Sequence, residues 1–147
     1  MSDTTALTLD PDLLDRNAVT TFDELAEVRV VAVDTRSERR HLMRMLLERT
    51  FQPAEIAEAD SQATAVELVT RLHPELVVLE IQMPLEEGLD TISALRRLSP
   101  TPRIVVCSFR RDPATIQRAL DRGADAYLTK PVNPTELAAK IRSDSTS

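Results

Sequence analysis

The sequence predicts an α/β fold in which five strand–helix units wind into one parallel five-stranded sheet with helices on both faces. Three observations predict it. From Val28 onward, short apolar runs alternate with stretches of helical period. Two of those runs, Glu75 to Leu79 and Arg103 to Cys107, are almost continuously apolar, as parallel strands covered on both sides are. Polar residues punctuate the carboxyl ends of the runs: Asp34, Glu80, Ser108 and Lys130.

Each element follows from its own pattern. Arg29 to Val33 reads as the first strand, and Ser37 to Arg49 as a helix with Leu42, Met45, Leu46 and Arg49 at helical spacing. Ala54 to Ala59 alternates as an edge or half-exposed strand does. Asp60 or Ser61 caps the next helix, whose Ala65, Val66, Val69 and Leu72 form one face. Further helices are predicted at about Glu87 to Leu98 and Asp112 to Arg122, the latter stopped by Gly123. Ala124 to Leu128 is the fifth strand, and Pro134 to Arg142 the last helix. Right-handed crossovers then imply a doubly wound (βα)5 sheet of flavodoxin-like order 2-1-3-4-5. Ligands of such sheets bind at the carboxyl ends of strands 1 and 3, where Asp34 and Glu80 stand.

Charge divides the chain. Residues 1–27 hold seven acids and one base, a net −6, which is the formal charge of all 147 residues. The remaining 17 acids and 17 bases balance, so the domain lacks the basic footprint of a nucleic-acid binder. We therefore expect an acidic N-terminal extension at 1–27, a domain at 28–142 and a short tail at 143–147. The extension reads as a solvating tail, with folding over the domain or a docking role left open. No run is long and apolar enough for a membrane span, and the start lacks a signal-peptide pattern, so a cytoplasmic protein is expected. The single cysteine, Cys107, reads as a buried, inert thiol. Two glycines, Gly88 and Gly123, exclude a phosphate-cradling glycine loop. His41 and His73 sit at no metal-ligand spacing, and His73 suits the end of the second helix. No nucleophile–base pair is visible, so no enzyme is expected.

Four spaced segments carry a family resemblance: VVAVDT at 30–35, LVVLEIQMPLEEGLD at 76–90, IVVCSF at 104–109 and GADAYLTKPVNPTEL at 123–137. Together they resemble the receiver domains of bacterial two-component response regulators. The resemblance implies a phosphoacceptor position at Glu80, normally an aspartate, and a Mg²⁺ site formed by two acids after the first strand, the acceptor and a carbonyl. Those map onto Asp34, Thr35, Glu80 and Gln82. It also implies switch and phosphoryl-contact positions at Ser108, Tyr127 and Lys130, with the Lys130–Pro131 peptide in cis.

Three departures weaken phosphotransfer. Thr35 removes one carboxylate from the metal set, so no cofactor or only weak Mg²⁺ binding is expected, since hard cations want anionic oxygens. Glu80 carries its carboxyl carbon about 1.5 Å further than an aspartate. Errors of that size cost on the order of 100-fold where positioning is the catalysis. Phe109 replaces a small residue and is expected to narrow or close access. Lys130 is expected to pair with Glu80, either imitating part of the active state or serving structure alone. Arg118, Arg122, Asp125, Lys140 and Arg142 are candidate contacts on the surface of the fourth helix, fifth strand and fifth helix, where a homodimer or partner could sit. Arg110 and Arg111 form a basic pair beside the site.

The resulting expectation is a stand-alone atypical receiver, or pseudo-receiver, that signals through a protein partner: a histidine kinase, another regulator or an output protein. The alternatives are a phosphorelay receiver using Glu80, and a flavodoxin-like small-ligand binder.

Overall fold

The computed structural model describes residues 29–146. The acidic extension at 1–27 lies outside them. Five strands, β1 (Arg29–Val33), β2 (Glu55–Ala59), β3 (Leu76–Leu79), β4 (Arg103–Ser108) and β5 (Ala126–Thr129), pair in parallel in the order β2-β1-β3-β4-β5. Five helices separate and follow them: α1 (Ser37–Phe51), α2 (Gln62–Leu72), α3 (Leu85–Arg96), α4 (Pro113–Arg122) and α5 (Pro134–Thr146). The predicted fold class and strand order are those observed.

The unbroken apolar runs of β1, β3 and β4 reflect two cores, because alternate side chains point to opposite faces. Val31, Val33, Val77, Leu79, Ile104 and Val106 meet α2, α3 and α4 through Val69, Leu89, Ile92, Leu95 and Ala119. On the other face, Val30, Val78, Val105, Cys107 and Leu128 meet α1 and α5 through Leu47 and Leu137. Cys107 is buried there, and desolvation pushes its thiol up to about 12, so it is an unreactive core residue as expected.

Element ends differ from the sequence reading for identifiable reasons. The inward stripe of α1 is Met43, Leu46 and Leu47, and Leu42, assigned to the face from spacing, is 64% exposed. Ser61 rather than Asp60 caps α2, its hydroxyl accepting from the Thr64 amide at 3.2 Å. The helix ends on His73 in the left-handed region at φ 49°. Helix α3 begins directly after Pro84, with Glu86 and Glu87 in its favourable first turn, instead of at Glu87. It stops at Arg96, where Arg97 and Leu98 turn back onto Ala94 and Leu95. Strand β5 begins at Ala126, not Ala124. Gly123, at φ 120°, ends α4, Ala124 donates back to the Ala119 carbonyl, and Asp125 accepts from the Ile104 amide at 2.8 Å. Helix α5 runs on to Thr146, past the predicted end at Arg142, because Ser143 to Ser145 contains no glycine or proline to stop it.

Gly88 marks where α3 is driven against the end of β3. A Cβ there would run into the Ile81 carbonyl group. Backbone leaves that clash no cheap relief. Gly88→Ala should therefore destabilise the fold by about 3 kcal/mol or more, read as a lower midpoint in urea unfolding.

Candidate functional site

The site is the carboxyl rim of the sheet, and the β ladder itself places its residues. Beyond the last strand pairs, Asp34 donates its amide to the Ala59 carbonyl, Glu80 to Val33 and Lys130 to Ser108, at 2.8–3.0 Å. Main-chain bonds thus hold the two acids on the adjacent ends of β1 and β3, and the lysine at the end of β5, one strand beyond β4. Asp34 and Glu80 are buried, at 4% and 3% exposure, and Ser108 is fully buried.

Buried carboxylates need hydrogen-bonded cations, and both have them. Glu80 Oε1 accepts from Lys130 Nζ at 3.0 Å, and Oε2 accepts from the Gln82 amide at 2.9 Å. The pair expected between Glu80 and Lys130 is therefore present. Asp34 is held by Arg39, whose Nε reaches Oδ1 and Oδ2 at 3.1 and 3.0 Å while Nη2 reaches Oδ1 at 2.7 Å. The Arg36 amide adds a bond to Oδ1 at 2.9 Å. The Asp34 hydrogen bond is the main cause of a raised Arg39 pKa, against opposing desolvation. Arg40 caps the Asp34 carbonyl at 2.8 Å and, with Arg44, clasps Glu58 on the neighbouring strand.

These arginines went unnoticed in the sequence. A signal existed: Arg36, Arg39, Arg40 and Arg44 recur at helical spacing directly after the acid that ends β1. The Lys130–Pro131 peptide is cis.

The residues present do not suit a divalent ion. Thr35 is exposed, the Asp34 oxygens face N–H donors, and each Glu80 oxygen already accepts a hydrogen bond. Among the described residues, no group of three or more histidine, cysteine or acidic side chains could hold a metal. The Gln82 amide donates to Glu80 Oε2 at 2.9 Å.

Phe109 is 60% exposed, with Lys130 Nζ 5.6 Å from its ring centre. It borders an open groove of about 370 Å³ shared with Leu42, Met43, Leu46, Pro131 and Val132. Arg110, of the basic pair beside the site, binds Asp112 and the Thr115 hydroxyl at the start of α4. Ser108 Oγ accepts from the Arg110 amide at 3.2 Å, and the Tyr127 hydroxyl donates to the Arg110 carbonyl at 2.8 Å. Arg110 therefore joins the two switch positions through its backbone. Partial burial raises the Tyr127 pKa, with the Ser108 hydroxyl pulling the other way.

The candidate interface is only partly displayed. Arg118 and Arg122 cross to Glu86 and Asp90 on α3, at 2.8 and 3.0 Å, and Asp125 lies 3.5 Å from Arg96. Lys140 is exposed, and the Arg142 side chain lies outside the described residues. No helix among the described residues is long and apolar enough to cross a membrane.

A five-stranded sheet of this order, with acid, hydroxyl and lysine converging on one rim, is the architecture of a signalling receiver module. The chain belongs to the response regulator receiver domain family, whose model matches residues 30–142. It is 34% identical over 119 residues to the nitrate/nitrite response regulator protein NarP of Escherichia coli, covering 81% of this chain and 55% of that protein. It is 32% identical over 103 residues to the chemotaxis protein CheY of Halobacterium salinarum, covering 70% of this chain and 84% of that one. Among solved structures, it is similar to the receiver domain of the putative response regulator NarL from Mycobacterium tuberculosis. The TM-score is 0.68 at 26% identity, over 82% of this chain and 98% of that one.

Removing Lys130 alone should leave Glu80 buried without its cation. Lys130→Met should cost about 3–5 kcal/mol in chemical denaturation, and adding Glu80→Met should recover most of the loss. A second measurement concerns Glu58, whose carboxyl Arg40, then Arg44, hold below its ordinary 4.5 against opposing desolvation. A depressed folded-state pKa contributes stability above the unfolded value that is lost as pH falls. Glu58→Gln should therefore flatten the decline of stability below about pH 4.5 and leave its slope near pH 7 unchanged.

Proposed function

We propose that this chain is an atypical receiver of two-component signal transduction, working through protein–protein contacts and not accepting a phosphoryl group in the usual way. The observation that carries this reading is the state of Glu80. Its oxygens are engaged by Lys130 and by the Gln82 amide, so the group at the acceptor position already has the partner that a phosphoryl group would otherwise attract. In-line phosphoryl transfer is a matter of positioning and charge neutralisation, and this rim offers neither an uncommitted carboxylate nor a suitable metal set.

Other features support a signalling role without covalent chemistry. Ser108 and Tyr127 are tied to one another through Arg110, with the tyrosine ring packed against the larger core. The exposed Leu42 and Phe109 beside the groove supply apolar surface for a protein partner: a histidine kinase, another regulator or an output protein. Such a module is non-enzymatic and resides in the cytoplasm.

The decisive experiment is incubation of the full chain with acetyl phosphate, or beryllofluoride, in Mg²⁺. Intact mass and the amide NMR spectrum should stay unchanged, whereas a stoichiometric adduct on Glu80 would establish the phosphorelay alternative. Glu80→Asp by itself should also stay unlabelled, because Arg39 and Thr35 still deny the metal its oxygens.

A further inference from the structure

Two buried carboxylates at one rim create a large electrostatic demand, because uncompensated charge in a low-dielectric interior is strongly unfavourable. A receiver rim can meet that demand with a divalent ion, which takes several oxygen ligands, or with side chains of its own. The second solution is on display. Arg39 projects from the first turn of α1 and forks onto Asp34 with three contacts of 2.7–3.1 Å, a planar match that an ammonium could not make. Lys130 balances Glu80 in the same way. Two acids thus face two internal cations.

The space left over agrees. Asp34, Glu80, Lys130, Arg40 and Met43 border a cavity of about 10 Å³, room for roughly one water and not for a hydrated ion. A divalent ion entering here would meet a guanidinium already in contact with its best ligand, and its charge would repel that guanidinium.

We propose that Arg39 is a built-in replacement for the divalent cation at this rim, holding Asp34 permanently and closing the Asp34–Glu80 pair to metal. The proposal deepens the phosphate-free reading and rests on it. It assigns a role to a residue that the family motif does not mark. It also makes the rim's charge balance independent of the cation supply, because the counter-charge is tethered to α1.

The test is a metal titration of the full chain against Arg39→Ala. Wild-type melting temperature should be indifferent to about 10 mM MgCl₂, and MnCl₂ should broaden no rim amide signals. Arg39→Ala should melt lower without metal, recover in Mg²⁺, and bind Mn²⁺ at least about tenfold more tightly than wild type, since ligands that bind only the folded state stabilise it. Adding Asp34→Asn should abolish the recovery. If Arg39→Ala does not fold, Arg39→Gln, which keeps length and one donor, takes its place. Equal metal binding by wild type and variant, or a folded variant with no gain, would overturn the proposal. Acetyl phosphate added to the same samples separates the two ideas. An adduct on the wild-type chain defeats the phosphate-free reading, whereas an absent metal gain without any adduct defeats the role of Arg39 alone.

Discussion

Charge compensation of two buried carboxylates is the constraint around which this rim is arranged. Asp34 and Glu80 stand where the β ladder ends, too deep for water to solvate them. Each is therefore bound to a cation from another element: Arg39 from α1 and Lys130 from the end of β5. These contacts tie β1 to α1, and β3 to the β5–α5 connection. The same bonds that neutralise the acids brace the rim.

That bracing extends outward in two directions. Toward the β2 edge, Arg40 and Arg44 join α1 to Glu58, so one arginine-rich helix face serves both the rim and the edge strand. Toward β4, Ser108, Arg110 and Tyr127 link the strand end, its loop and β5 through the Arg110 backbone. Arg110 also reaches the capped start of α4, where the Thr115 hydroxyl, then Arg110 itself, hold the Asp112 carboxyl well below the usual carboxylate range. Between α3 and α4, Arg118 and Arg122 make exposed ion pairs, each worth about 1 kcal/mol or less and more useful for register than for stability.

Much of the architecture was legible because its signals are local or periodic. Continuous apolar runs announced strands covered on both faces, and Gly123 announced the end of α4. Element ends were less legible: Asp125 belongs to a connection because it binds the Ile104 amide, a partner 21 residues away. At the site, Glu80 and Lys130 could be paired in advance because the family motif names both. Arg39 was not paired in advance, because its only signal is helical spacing after a strand-ending acid, and a guanidinium there ordinarily reads as a solvated helix residue. For Phe109, a side chain's identity does not fix its direction, and only the structure sets the ring centre 5.6 Å from Lys130 Nζ.

The sequence by itself determined the class of fold, the order of its strands and the polar residues at their carboxyl ends, because side-chain period and strand-to-helix alternation are written along the chain. It also determined that the acceptor position holds a glutamate and that Thr35 follows Asp34. Only the tertiary structure decided which cation each buried acid receives, and whether the candidate interface residues face out or across to α3. Those outcomes depend on distances between residues far apart in the chain, and on burial that turns an unremarkable arginine into the counterion of an aspartate.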